Sequence, residues 1–243
     1  YFNVSHNRIT PISPSLQMNK WPNLAALDIS WNAFSAWQSI PPSLSKLAPS
    51  VDLRLGPNDG ITLVDWGSST ISNLTTALAQ IRTLNEIRAP YNNLRVIPSA
   101  IGRGTRIQYL ELHDNLLAQF DFSAFPLCES IQLYENQFVH IDASVGQLKS
   151  LGWLDMSVNK LVDLPQTLLG ATALQGMDLR NNKLTTMPAW FGQMFRPPRN
   201  LGYVALSLNP LTQTAAQLQQ LWNVSCQQHW YGQFICGLGC PAV

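Results

Sequence analysis

Apolar residues recur along this chain in a short sequence motif that has an asparagine near its end. The clearest copies are residues 151–161 (LGWLDMSVNKL) and 174–184 (LQGMDLRNNKL). The residues five and three positions before the asparagine are apolar, and so is the residue two positions after it. Alternation with a period of two places one face of a short strand in a core. Each copy therefore predicts a strand with one buried face, followed by a turn that brings the next apolar residue inward.

The motif occurs nine times, and its asparagines are spaced 25, 26, 34, 23, 21, 23, 23 and 27 residues apart. An asparagine amide both donates and accepts hydrogen bonds, so at this bend it can satisfy backbone groups that the turn leaves unpaired. Stacked copies would then share an internal ladder of amides, formed by Asn7, Asn32, Asn58, Asn92, Asn115, Asn136, Asn159, Asn182 and Asn209.

The second half of a copy predicts a return segment rather than another strand. A proline follows an apolar residue at Pro98, Pro165 and Pro188. Proline stops strand pairing and favours a turn. Short helical or 3₁₀ turns would then lead back to the next strand.

This pattern resembles the leucine-rich repeat family, whose signature is L-x-x-L-x-L-x-x-N-x-L. The resemblance covers roughly residues 1–212. It implies an α/β solenoid, a right-handed horseshoe of about nine repeats with a parallel β-sheet on its concave face and short helices or 3₁₀ turns on its convex side. Because solenoids bind or scaffold far more often than they catalyse, it also implies a non-enzymatic function without a cofactor.

The third copy departs from the pattern. Gly60 occupies a position that is apolar elsewhere, and the next asparagine of the ladder follows only after 34 residues. We interpret the excess as an insertion at about residues 59–70, followed by a helix-like stretch at 71–81. The insertion is either a loop that projects for binding or tolerated surface variation. The predicted domains are the solenoid, residues 1–212, and a C-terminal cap, residues 213–243.

Composition narrows the class of function. The net charge is +1 and 12% of the residues are charged, with no basic run, so nucleic-acid binding has little support. No apolar stretch approaches the ~20 residues of a membrane span. The chain has no initiator methionine or signal peptide, and Val4 and Asn7 already belong to a copy of the motif. We therefore expect it to be a piece of a longer or processed protein.

Three N-x-S/T sequons make Asn3, Asn73 and Asn223 candidate N-glycosylation sites. Each motif is weak alone, because it arises often by chance. Together with the low charge, abundant tryptophan and a cysteine-bearing tail, the sequons favour the secretory pathway and an extracellular or cell-surface location.

The cysteines fall into two groups. Cys128 occupies a leucine position of the repeat, which favours a buried thiol. Cys226, Cys236 and Cys240 follow the last copy, where a solenoid needs a cap over its apolar end. An amphipathic helix at Ala215–Trp222 could lie over that end.

The resemblance implies a disulfide in the cap, since leucine-rich repeat proteins of cell surfaces often have one. Cys226 would pair with Cys236 or Cys240, and the remaining cysteine would pair elsewhere or stay reduced. The rival interpretation is a zinc site that adds His229, although the spacing fits no common zinc finger.

The outward positions of the strands are the candidate ligand site, because ligands of this family commonly lie on the strand face. Aromatic rings supply contact area there and charges orient polar groups, which suits a peptide or a glycan. The alternative is a polar face that is merely solvated. The predicted patch consists of Arg88, Tyr91, Tyr109, Glu111, His113, Tyr134, Trp153 and Asp155.

Two functions follow from these patterns. The first is an extracellular interaction module that binds protein, peptide or glycan through the strand face. The second is a structural subunit of a matrix, cell wall or surface filament, assembled from copies of itself through the solenoid ends or the cap. Glu111 and His113 share a strand face, as acid–base pairs can, but no nucleophile elbow or phosphate loop is present. Neither an enzyme nor a metal site is expected.

Overall fold

The structure, a computed structural model, describes residues 1–8, 26–28, 52–54, 85–88, 90–91, 94–199, 201–222, 225–229 and 233–237. Two compact units, 1–117 and 118–243, make up the chain. The predicted boundary at residue 212 stays a prediction. Several predicted features lie outside the described residues: the insertion at 59–70, the helix at 71–81, Asn32, Asn58, Asn92, Asn73, Asn223 and Cys240.

The first unit carries five short strands that pair in parallel and in chain order: β1 (Phe2–Asn3), β2 (Ala26–Asp28), β3 (Asp52–Arg54), β4 (Glu86–Arg88) and β5 (Tyr109–Glu111). Helix α1 (Ser99–Gly104) follows Pro98 and lies between β4 and β5. Parallel neighbours need a return connection, and between β4 and β5 the segment that begins at Pro98 supplies it.

The second unit repeats the same coil more regularly. Its parallel strands are β6 (Ser130–Gln132), β7 (Trp153–Asp155), β8 (Gly176–Asp178) and β9 (Tyr203–Ala205). Its return segments are 3₁₀ helices: η1 (Phe122–Ala124), η2 (Ala143–Gln147), η3 (Gln166–Gly170) and η4 (Ala189–Phe195). Both units therefore show the strand, turn and return segment that the sequence predicts.

The core consists of the apolar positions of the repeat motif. Leu154 and Met156, five and three residues before Asn159, are fully buried, and so is Leu161 on the far side of the turn. Cys128 is buried in the same layer, as predicted, and burial raises the pKa of its thiol to about 12. The thiol therefore behaves as a small apolar side chain at neutral pH.

The asparagine ladder joins successive coils. The Asn159 side chain donates to the carbonyls of Met156 and Ser157 in its own turn and to that of Leu133 in the preceding coil, at 3.1, 3.0 and 2.9 Å. Its Oδ1 accepts from the backbone N–H of Phe138 at 3.1 Å. The Asn159 amide thus bonds four backbone groups, so it fixes both its own turn and the spacing to the preceding coil.

Equivalent bonds recur along the described ladder. Asn182 accepts from Leu161 and Asn209 accepts from Leu184, while Asn115 accepts from Leu94 in the first unit. Asn7 is exposed and donates to the carbonyls of Val4 and Ser5 within its own turn. Bonds to a neighbouring coil are therefore present at Asn115, Asn159, Asn182 and Asn209. Bonds to carbonyls of the same turn are present at every predicted asparagine that the structure describes: Asn7, Asn115, Asn136, Asn159, Asn182 and Asn209.

The residue directly before a ladder asparagine has a left-handed backbone at seven described positions. Its φ is between 52° and 60° at His6, Tyr91, Asp114, Glu135, Val158, Asn181 and Leu208. Asparagine adopts this conformation readily, whereas a β-branched residue such as valine adopts it only with strain. Val158 and Asn181 are equivalent positions of adjacent coils, with φ of 53° and 52°, and both side chains are exposed.

Exchanging the residue types at these two positions should change stability in opposite directions. We expect Val158→Asn to raise the free energy of unfolding by about 1 kcal/mol, because it relieves left-handed strain, and Asn181→Val to lower it by a similar amount. Urea titration of each variant measures both effects. A loss of stability in both variants would show that valine makes contacts worth more than the strain.

Close coil packing on the return side depends on glycine. A Cβ atom at Gly146 in η2 would lie 2.1 Å from the carbonyl oxygen of Thr167, and one at Gly170 in η3 would lie 2.3 Å from that of Gly146. The Lys149 ammonium donates to the carbonyls of Gly146 and Gly170, at 3.0 and 2.7 Å. Neighbouring 3₁₀ helices are thus in backbone contact, with one cation bridging two of their carbonyls.

The predicted cap helix is present as α2 (Ala215–Trp222). Thr214 and Gln217 form a reciprocal capping box: the Thr214 hydroxyl accepts from the Gln217 N–H at 3.3 Å, and the Gln217 side chain accepts from the Thr214 N–H at 2.7 Å. Trp222 is fully buried against Phe191 and Phe195 of η4, with ring centroids 5.2 and 5.7 Å apart. The helix therefore closes the apolar layer of the last coil.

A hairpin that the sequence did not predict completes the cap. Strand β11 (Gln233–Gly237) pairs antiparallel with β9, and β10 (Ser225–His229) pairs antiparallel with β11. Its register sets the Cα atoms of Cys226 and Cys236 opposite each other. Of the two predicted disulfides, this register favours Cys226–Cys236, and the pairing stays a prediction.

Among the described residues, neither helix has the length and apolar character that crossing a bilayer requires.

Candidate functional site

In the three-residue parallel strands, the first and third residues lie on the face of the sheet opposite the core, which we call the solvent side. In β7, Leu154 points into the core, whereas Trp153 is exposed and Asp155 is half-buried. The same alternation places Tyr109 and Glu111 of β5 on the solvent side and Leu110 in the core. Of the eight residues of the predicted patch, His113 is buried and the other seven are exposed or half-buried.

In the first unit, charged side chains of β4 and β5 form a paired group. Arg88 binds Glu86 on its own strand, and its Nε lies 3.5 Å from Oε1 of Glu111, its register partner on β5. These groups are partly exposed, so the pairs contribute little to stability. Their effect is to hold a guanidinium and two carboxylates in fixed positions beside Tyr109, which is 41% exposed.

Tyr91 and His113 form the second group of the first unit. Their rings meet edge to face, with centroids 5.2 Å apart. His113 is buried, and its Nδ1 lies 2.8 Å from a carboxylate oxygen of Asp114. Tyr91 remains 55% exposed. This histidine is thus oriented by a carboxylate and covered by a tyrosine, which makes it a support for an exposed aromatic ring.

In the second unit, an aromatic pair, Trp153 and Tyr203, spans three strands. Trp153, Gly176 and Tyr203 are register partners on β7, β8 and β9. A Cβ atom at Gly176 would lie 2.3 Å from Cζ3 and 2.4 Å from Cε3 of Trp153. The indole therefore covers the glycine and stacks beside Tyr203, with centroids 6.0 Å apart and planes inclined by 23°.

Acidic side chains lie one step further along the same strands. Asp155 of β7 accepts from the backbone N–H and the hydroxyl of Ser157, at 2.9 and 2.7 Å. Burial is the largest influence on Asp155 and raises the pKa of its carboxyl, while the bonds from Ser157 act in the opposite direction. Its register partner Asp178 is only 3% exposed and receives Nε of Arg180 on both oxygens, at 3.0 and 2.8 Å.

The Asp178–Arg180 pair is a fixed, charge-assisted contact. The hydrogen bond to Asp178 is the largest cause that raises the pKa of Arg180. A bidentate guanidinium–carboxylate contact has a defined geometry. The remaining guanidinium surface is exposed to solvent, because the Arg180 side chain is 45% exposed.

The sequence-based patch therefore resolves into groups within each unit. Arg88, Tyr91, Tyr109, Glu111 and His113 belong to the first unit, and Tyr134, Trp153 and Asp155 belong to the second. That all eight act as one patch stays a prediction. The sequence-based choice omitted Gly176, Asp178, Arg180 and Tyr203, although the six-, four- and two-before positions of the repeat contain them. The signal in the sequence was the glycine at position 176, which stands between the aromatic residues Trp153 and Tyr203 at the equivalent positions of the neighbouring copies.

Among the described residues, no group of three or more His, Cys, Asp or Glu side chains is arranged to hold a metal ion. The solvent side of the strands offers instead rings, carboxylates and guanidinium groups in fixed positions. Such groups bind through contact area and hydrogen bonds.

No protein-family model matches this chain, but its sequence is similar to several known proteins, lumican and fibromodulin among them. The chain is 31% identical to lumican of Rattus norvegicus over 136 residues, 55% of this chain and 38% of lumican. It is 32% identical to fibromodulin of Oryctolagus cuniculus over 125 residues, 50% of this chain and 80% of that sequence. The match thus spans less than half the length of lumican.

Among solved structures, the chain is similar to an LRR protein of Leptospira interrogans. The TM-score is 0.67 at 21% identity, and the match covers 90% of this chain and 52% of that one. At this identity the similarity concerns the fold: open parallel sheets with short helices and 3₁₀ turns in the return segments.

Proposed function

This chain belongs to the leucine-rich repeat family, and from that premise we propose that it is a non-enzymatic extracellular module that binds a protein or a glycan through the solvent side of its strands. The observation that carries the proposal is the placement of partly exposed aromatic rings, each held by neighbours, on that side. Trp153 is held over Gly176 and beside Tyr203, and Tyr91 is held against His113.

Held rings favour binding for an entropic reason. Association costs the ordering of interface side chains, about 0.5–1.5 kcal/mol for each flexible one that is immobilised. Tyrosine and tryptophan offer large contact areas with few rotatable bonds. Rings that are already held against a glycine backbone or a neighbouring ring lose little further conformational entropy on binding. More of the contact energy therefore contributes to affinity.

An extracellular location is supported by features of the described residues and of the sequence. Asn3, the first of the three sequons, is exposed on β1 and open to modification. The cap register brings Cys226 opposite Cys236, as a disulfide requires. Disulfides persist in oxidising compartments.

The proposal is tested by finding ligands and mapping them to a surface. The intact chain is screened against a random-peptide phage library and a glycan array. We expect Tyr109→Ala or Trp153→Ala to weaken the best ligand by about tenfold, since buried aromatic contacts dominate interface energies. Val162→Ala, an exposed residue (45%) away from the strands, serves as the matched control and should leave affinity unchanged.

Ligands that ignore both strand-side variants would overturn the proposal. Analytical ultracentrifugation then decides whether the second function applies. Polymers that grow with concentration, together with indifference of every ligand to the strand-side variants, would favour a structural subunit assembled from copies of the chain.

A further inference from the structure

The aromatic pair of the second unit has a shape that restricts its ligand. Since the indole of Trp153 covers the Gly176 backbone, one of its faces is occupied by the sheet. The side chain nevertheless remains 36% exposed. Tyr203 extends the aromatic surface across the next strand at a small interplanar angle. The result is a shallow, flat apolar area rather than a pocket that could receive a protruding side chain.

A flat aromatic surface of this kind suits the face of a sugar ring. The π-face of an indole carries partial negative charge. The axial C–H bonds on one face of a pyranose carry partial positive charge and form an equally flat apolar surface. Stacking the two removes apolar area from water without burying hydroxyl groups, which point outward from the rim of the sugar ring.

Polar groups for those hydroxyls lie beside the pair. Asp155 follows Trp153 by two residues on the same strand, so both are on one face. Asp178 follows Gly176 in the same way on β8, and Arg180 lies two residues further on, after the end of that strand. Carboxylates accept from sugar hydroxyls and the guanidinium donates to them. Their positions are fixed by Ser157 and by the Asp178–Arg180 contact.

The charges beside the pair argue for a neutral sugar. Two carboxylates and one guanidinium leave one net negative charge, and the guanidinium already binds Asp178. A sulfated or carboxylated glycan would meet this charge unfavourably, whereas a neutral one would not.

We infer that Trp153 and Tyr203 form a stacking site for neutral pyranose rings of a glycan, with Asp155 and Arg180 as hydrogen-bonding partners and the buried Asp178 as the residue that positions Arg180. The inference rests on the proposed strand-side binding and names its ligand class. Gly176 is a positioning residue, because its missing side chain lets the indole lie flat.

The test is isothermal titration of the intact chain with neutral hexasaccharides of glucose, N-acetylglucosamine, xylose and mannose. A heparin hexasaccharide and a hexaproline peptide are titrated in parallel. We expect at least one neutral hexasaccharide to bind more tightly than heparin or hexaproline. Trp153→Ala should weaken it about tenfold, near the upper limit for aromatic contacts, and Trp153→Phe should weaken it less.

A matched pair of glycine variants isolates the geometry. Gly176→Ala should weaken sugar binding, because the new Cβ displaces the indole. Gly202→Ala should not, because its Cβ would meet only the carbonyl oxygen of Gln175 at an ordinary 3.6 Å. Circular dichroism melts show that each variant is folded, so lost binding is not lost structure.

The contrary outcomes are distinct. Failure of every neutral sugar, preference for heparin or hexaproline, or indifference of sugar binding to Trp153→Ala would each overturn the inference. If phage-selected peptides still depend on Trp153, strand-side binding stands and the glycan assignment alone is wrong. If no ligand of any kind depends on strand-side residues, both fail.

Discussion

Replacing Asn159 with alanine should lower the free energy of unfolding by about 3–5 kcal/mol, among the largest effects of any single substitution in the chain. The amide satisfies four backbone groups, and the N–H of Phe138 and the carbonyl of Leu133 belong to the preceding coil. Deleting it leaves the buried N–H of Phe138 without its acceptor, which costs about 1–3 kcal/mol. The three carbonyls each keep one other donor, from Asn136, Asn182 and the N–H of Glu135, so each loses only one hydrogen bond, worth about 0.5–1.5 kcal/mol. Urea unfolding followed by circular dichroism measures the loss.

Asn7→Ala is the matched control, since the same residue type occupies the same turn but is exposed. Water can replace its contacts to Val4 and Ser5, so its cost should stay below about 1 kcal/mol. Asn159→Asp adds a second control, because it keeps the acceptor for Phe138 and removes the donors. Equal losses at Asn7 and Asn159 would contradict an internal ladder that derives its strength from burial.

Gly146→Ala should destabilise the chain by at least about 3 kcal/mol, at the upper end of the range for overpacking. The added methyl group would lie 2.1 Å from the carbonyl oxygen and 2.9 Å from the carbonyl carbon of Thr167. Both atoms are backbone, so no side-chain rotation relieves the overlap. The neighbouring 3₁₀ helices must separate, which also weakens the contacts of Lys149 with both. Thermal melts and hydrogen exchange measure the effect.

Gly152→Ala serves as the control for the glycine itself. Its Cβ would lie 3.6 Å from the carbonyl oxygen of Glu129, an ordinary contact. Because alanine restricts the unfolded chain more than glycine does, this variant should be neutral or stabilising by up to about 1 kcal/mol. If hydrogen exchange near Thr167 is unchanged in Gly146→Ala, the coils are not in contact as described.

The coil was predictable because its chemistry is local and repeated. A period of two around Leu154 and Met156 identifies the strand, Asn159 marks the bend, and Pro165 marks the return segment. The left-handed residue before the asparagine was less predictable, since side chains as different as Val158 and Asn181 occupy it. Residue type alone does not predict the backbone contact of Gly146 with Thr167 or the hydrogen bonds of Lys149 to two carbonyls. Both depend on the distance between neighbouring coils.

The candidate site was predictable only in part. Period-two alternation identified Trp153 and Asp155 as outward residues. It did not reveal that Trp153 leans across a strand, because that depends on the missing side chain of Gly176 in the next coil and on Tyr203 one coil further. The cap, too, was predictable only in part. The apolar spacing of Ala215–Trp222 predicted the helix, whereas strands 225–229 and 233–237 are rich in glutamine and lack an apolar alternation strong enough to identify them.

The reversal of strand direction at β11 restricts how this array can be lengthened. The edge of β9 that a further parallel coil would use is already paired with a strand running the other way. A duplicated coil placed after β9 would therefore compete with the hairpin, whereas one inserted between two regular coils meets matching edges on both sides. Engineered or natural enlargement of the array is thus expected by internal duplication, such as a second copy of the 23-residue period that ends at Asn159.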